Sequence, residues 1–220
     1  MVSKQRSARK AFPGTEPPTD WTDLPAQPLP PDPSERGEPE PGVDAPIMLL
    51  PVGRIDVTQF EAVRAPLQEC FGRTVEVGMR LPVPKYAYNP NRGQYHSAAI
   101  MKRIEEARST DWDAAIGVSQ EDLFVPEVPF IFGEADRSTR TALLSLARLR
   151  PDGGVPEARD DVLRRRLISE AIHQVGLLRG LAHCPNNRCV MFYAASVLEI
   201  DKRGAALCAN CKKRLIALSG

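Results

Sequence analysis

The sequence predicts an α/β (α+β) fold, a mixed sheet backed by helices, with one long helix followed by a four-cysteine knuckle. Three observations carry that prediction. Short apolar or alternating runs of strand length, at residues 47–53, 75–81, 114–118 and 128–132, are interleaved with segments whose apolar side chains recur at helical spacing. One helical pattern continues from about residue 160 to 181. Four of the five cysteines, Cys184, Cys189, Cys208 and Cys211, crowd into the last 37 residues.

The elements follow in order. Residues 1–46 hold 11 of the 21 prolines and only 11 apolar side chains, too few to offset the entropy of ordering them, so a disordered proline-rich tail is expected there. No apolar leader develops in it, which points to a cytoplasmic protein. Residues 47–220 form the domain. Residues 47–53 read as a buried strand; Asp56 or Thr58 then caps a helix carrying Phe60, Val63, Leu67 and Cys70, stopped by Gly72 and bent by Pro66. Residues 75–81 alternate as a half-buried strand. A polar loop at 88–95 leads to a second helix with Ile100, Met101 and Ile104 inward. Strands at 114–118 and 128–132 flank an acidic turn, and residues 141–149 fit strand and helix equally. Gly153 and Gly154 break the chain before the long helix.

Composition excludes some functions. No apolar run approaches the roughly 18 residues a membrane span needs. With 29 basic against 28 acidic side chains, a net charge of +1 gives no general case for nucleic-acid binding; the runs Arg164, Arg165, Arg166 and Lys212, Lys213, Arg214 read as solvated faces.

The chemistry concentrates in residues 173–191, HQVGLLRGLAHCPNNRCVM. A zinc-peptidase helix of the pattern H-E-x-x-H places two imidazoles on one face, and the extended form H-E-x-x-H-x-x-G-x-x-H ends the helix at glycine so that a third imidazole turns back. His173, Gly180 and His183 match the first histidine, the glycine and the third histidine. Gln174 stands in place of the glutamate and Leu177 in place of the second histidine. The continuation, His183-Cys184, four residues, Cys189-Val190-Met191, then Cys208-Ala209-Asn210-Cys211, resembles the archaemetzincins, a branch of the metzincin zinc metalloproteases. Segments YNPNRGQY (88–95), DLF (122–124), FIFGEA (130–135) and SLARL (145–149) resemble that family too, so the likeness covers residues 47–215. The resemblance implies a metzincin-like fold, a zinc on the four cysteines, and Met191 as the methionine floor beneath the metal position.

By spacing alone, the quartet suits a closed tetrahedral thiolate site; two disulfides or unpaired thiols are the other readings. The catalytic position reads differently. Glutamine cannot take a proton from metal-bound water, and His173 with His183 makes only two ligands where catalytic zinc normally holds three. A rearranged site using His96, or Glu170 one turn before His173, is the remaining route to a second zinc; a capping histidine and a solvated carboxylate are the ordinary roles of those residues. Met191 would look the same as a core methionine, and Cys70 is expected to be buried. The expectation is a zinc-binding relative of the metallopeptidases that has lost catalysis and serves as a binding or regulatory module, a peptide or protein lying in the vestigial substrate groove. An active metallopeptidase working through His173 and His183 is the alternative.

Overall fold

The structure, a computed structural model, describes residue 42 and residues 44–218. All of the expected tail except residues 42 and 44–46 lies outside the described residues. The chain runs β1 (Ile47–Val52), α1 (Thr58–Phe71), β2 (Val75–Val77), β3 (Tyr88–Asn89), β4 (Gln94–His96), α2 (Ser97–Ala107), β5 (Ala114–Ser119), β6 (Leu123–Phe124), β7 (Gly133–Asp136), β8 (Thr141–Ser145), α3 (Pro156–Leu178), α4 (Val197–Arg203) and α5 (Ala209–Leu218). A five-stranded sheet has the order β2-β1-β5-β8-β7, and a small sheet has the order β3-β4-β6. In the large sheet, β7 alone is antiparallel to its neighbour, and it lies at the edge.

Helices on both faces explain why β1 is apolar throughout. Ile47 and Leu49 face the core built with α1 and α3, whereas Met48, Leu50 and Val52 face α2. A strand covered on both sides has no polar face to present. The N-cap of α1 is Val57, neither of the two expected residues, and has no side-chain cap bond; Asp56 takes the N–H of Thr58 at 3.0 Å from one position further out.

The structure corrects three strand readings. The alternation at 75–81 pairs only over Val75–Val77, with Leu81 bridging singly to Val52; Val77 and Met79 stand exposed at the sheet edge. The strand expected at 128–132 lies at Gly133–Asp136 instead, and Ile131 makes one bridge to Leu123. Pro126 and Pro129 remove donors a ladder would need. The ambiguous stretch at 141–149 becomes strand only as far as Ser145, wholly buried between β5 and β7. The long helix starts at Pro156, whose missing N–H costs nothing in the first turn, and stops at Leu178, earlier than the apolar pattern suggested. α4 and α5 had no sequence expectation; α4 is closed by a capping box between Ser196 and Glu199.

Candidate functional site

The thiol cage forms where the loop after α3 meets the start of α5. Cys184 and Cys189 sit on the loop after α3, which Cys184 N–H to Met191 O and Cys189 N–H to Asn186 O, both 2.9 Å, fold back on itself. Cys208 and Cys211 flank the first turn of α5, three residues apart, so their thiols share one side. All four ligand atoms lie within 4.8 Å of one another. Four sulfurs about 2.3 Å from a tetrahedral zinc would stand about 3.8 Å apart, and Cys184 Sγ and Cys208 Sγ are 3.8 Å apart. The disulfide reading fails: every cysteine is a free thiol. The backbone N–H of Cys211 holds the Cys208 thiol down at about 7, while burial pushes Cys184 and Cys211 up. This donor set fits zinc, which would tie the loop after α3 to α5.

α3 carries Glu170, His173, Gln174 and Leu177 at helical spacing. His173 is buried, and its Nδ1 lies 2.8 Å from Val190 O. A carbonyl only accepts, so Nδ1 bears the proton and Nε2 the lone pair. Burial and then the Arg203 charge lower its basicity, keeping the ring neutral. The His183 ring is stacked on it, centroids 5.4 Å apart and planes within 13° of parallel, with Tyr193 edge-on to His183 at 5.3 Å. Gly180 makes the return possible: its φ of +82° is the left-handed turn that releases the chain from α3.

Leu177 is half-buried against the main core. Gln174 is buried and hydrogen-bonded to Glu170, and its Oε1 has no partner. Glu170 is not the solvated carboxylate expected. It is 3% exposed and accepts from Nη2 of Arg203, itself 1% exposed at the end of α4. The other Arg203 donors reach Phe192 O at 2.8 Å and Ser169 Oγ at 3.1 Å, and Nη1 stands 3.3 Å from His173 Nδ1. Burial raises the Glu170 carboxyl and Arg203 pulls it back. Sequence reasoning missed Arg203. The available signal was Glu170 on an apolar helix face, since a carboxylate there needs a cation.

His173 and His183 alone do not make the three-ligand set that a catalytic zinc normally holds, since Gln174 and Leu177 replace the other motif residues. A guanidinium already backs His173, and Glu170 is committed to it. His96 is elsewhere, on β4, edge-on to Phe124 at 5.2 Å. Among the described residues, the only group of three or more metal-ligating side chains brought together is the cysteine quartet.

Met191 is fully buried below α3, where a Cβ built on Gly176 would meet its Sδ at 2.4 Å. Gly176→Ala is therefore expected to cost about 1–3 kcal/mol by overpacking, read from urea midpoints; a neutral outcome would show that the methionine floor yields.

The segments at 88–95, 122–124, 130–135 and 145–149 converge on the rim beside β7. Arg148 forms a bidentate pair with Asp122 at 2.7 Å, Gln94 Nε2 donates to the same carboxylate at 3.1 Å, and Arg92 and Arg148 lie over Phe124 and Phe130, each 4.2 Å from the ring centre.

Comparison with known proteins agrees with this architecture. The model of peptidase family M54 matches residues 70–217. The archaemetzincin of Methanocaldococcus jannaschii is 37% identical over 170 residues, covering 77% of this chain and 92% of that one. The crystal structure of the archaemetzincin from Methanopyrus kandleri superposes with a TM-score of 0.72 at 28% identity, covering 81% of this chain and 97% of that chain. That from Archaeoglobus fulgidus, complexed with malonate, gives 0.66 at 28% identity, covering 77% and 99%. The chain thus belongs to the archaemetzincins, the zinc metallopeptidases of family M54.

Proposed function

We propose that this archaemetzincin holds one structural zinc on Cys184, Cys189, Cys208 and Cys211, has lost metal-dependent peptide hydrolysis, and works as a binding or regulatory module. One observation supports this above the others. The wall of the former metal position is a buried Glu170–Arg203 pair that backs His173, with Gln174 hydrogen-bonded to the same glutamate. A glutamate at position 174 would face Glu170 across that bond, so the amide suits its present neighbour and not a zinc-bound water. The occupant of the groove would be an extended peptide or protein segment adding a strand along β7, the outermost strand of the large sheet. Among the described residues no helix is long and apolar enough to cross a membrane. A reducing, cytoplasmic setting suits a cage of four free thiols, and nucleic acid has no place in this reading.

Metal counting tests it. Purified protein is expected to hold one zinc per chain, to lose it when a cage cysteine becomes serine, and to keep it in His173→Ala and His183→Ala, with no zinc-dependent cleavage of short peptides in any of them. A second equivalent removed by either histidine change, accompanied by peptide cleavage, would overturn it.

A further inference from the structure

A groove of about 590 Å³ lies between the first turn of α1 and the second and third turns of α3, and the proposed function makes no use of it. Its floor is apolar, Leu163 and Leu167, both buried. Its rim is acidic: Asp56, Glu61 and Asp160, all exposed. The guanidinium that also lines it, Arg164, is tied to Asp161 at 3.1 Å, and Glu61 is shared with Arg64 at 3.2 Å. One polar atom is out of place. Oε1 of Gln59 is shut off from solvent and has no hydrogen-bond partner, an acceptor in want of a donor. An occupant should therefore bring positive charge, an N–H donor and an apolar side chain.

The chain carries one segment of that chemistry. Residues 1–10 contain Lys4, Arg6, Arg9 and Lys10 and no acid, and Phe12 follows at once; from there to residue 46 acidic side chains outnumber the single Arg36 by eight to one. Only the basic end complements the rim. Reach is ample. Gly42 is held by Arg73 just beyond the end of α1, Gly42 O to Nη1 3.0 Å, so the groove is one helix length distant, about 20 Å. The 31 residues from 11 to 41 can span about 100 Å. Tethering makes the encounter intramolecular, which raises the local concentration of the segment without any added affinity.

We propose that this groove is the docking site of the chain's own residues 4–12, the Lys and Arg side chains on Asp56, Glu61 and Asp160, a donor on Gln59 Oε1, and Phe12 over Leu163 and Leu167. The test is photo-crosslinking in the full chain with a benzophenone amino acid at position 12. Cross-links are expected within the same chain to peptides containing residues 56–62 or 160–167. Their yield should fall about tenfold in Glu61→Lys/Asp160→Lys, and likewise in Arg6→Glu/Arg9→Glu, as removal of a few partly exposed ion pairs predicts. It should also fall in high salt. Both pairs of positions are remote from the cage, so unchanged zinc content confirms folding. Cross-links elsewhere, yields indifferent to both charge reversals, no cross-links, or cross-links formed only between isotopically distinct chains would each overturn the proposal, the last assigning the groove to a second copy.

Discussion

Changing Cys208 or Cys211 to serine, or removing zinc with a chelator, is expected to unfold residues 184–218 while the sheet and its three large helices remain. The reason is the small apolar burial of its two helices, the buried Val190, Met191 and Leu207 lying in the loops before and between them. Of α5 only Cys211 is buried, with Ile216 73% and Leu218 51% exposed; α4 buries Ile200 and a charged residue, Arg203. Ordering some thirty-five residues costs about 1–2 kcal/mol each in backbone entropy, which so few buried side chains do not meet. Structural zinc supplies apparent free energies of about 10–16 kcal/mol in small peptides at neutral pH, and a loss of several kcal/mol is expected here because part of the loop remains packed on α3. Zinc binds thiolates and so releases protons; the metal should be held more weakly as pH falls. Amide hydrogen exchange would localise the effect: protection lost over 184–218 and kept over β1, β5 and β8. Unchanged protection in a zinc-free variant would mean that the cage is not what holds this segment.

The sequence was most legible where one periodicity dominated. The pattern places β1, α1 and β5 within a residue or two, and puts Ile100, Met101 and Ile104 of α2 inward, because each carries a one-sided or fully apolar pattern. The strand expected at 128–132 lies elsewhere because its apolar run contains Pro129, just after Pro126, whereas the real edge strand, GEAD, has almost no apolar signal; it is a strand because β8 beside it offers a ladder. α4 and α5 were invisible for a related reason: their order derives from a capping box and a thiol cage, not from an apolar face. In the site, spacing alone brought the cysteines together, and the motif placed His173, His183 and Met191 around the end of α3. Nothing local marked Arg203 as the partner of Glu170, thirty-three residues earlier. Long-range pairing of two charges leaves no period in a sequence.

Arg203→Leu should be among the most damaging single changes outside the cage, costing about 3–5 kcal/mol, because it strands Glu170 in a site with 3% exposure. Glu170→Leu should cost a similar amount by stranding the guanidinium. The double change should recover most of the loss, since a buried pair replaced by apolar groups of like volume is often neutral, less what Ser169 and Phe192 O forfeit as partners of Arg203. The pH dependence has a definite sign. Burial already raises the Glu170 carboxyl and Arg203 opposes that rise, so without the arginine it rises further. A carboxyl raised on folding favours its neutral form. The deficit of Arg203→Leu relative to the parent protein should thus be fully developed at neutral pH, narrow as pH falls through the raised value, and lose its ionic part below the unfolded value of about 4.3. Urea midpoints of the four proteins from neutral pH to about pH 5 give the comparison, with zinc content measured at each pH. An Arg203→Leu protein as stable as its parent, or a deficit that widens on acidification, would show that the pair does not hold the wall of the cleft. Where metal counting finds one zinc per chain, the same variant separates two causes. Arg203→Leu still holding one zinc per chain would mean that absent ligands exclude the metal, as Gln174 and Leu177 imply; two zincs would mean that the guanidinium's charge had kept the second ion out.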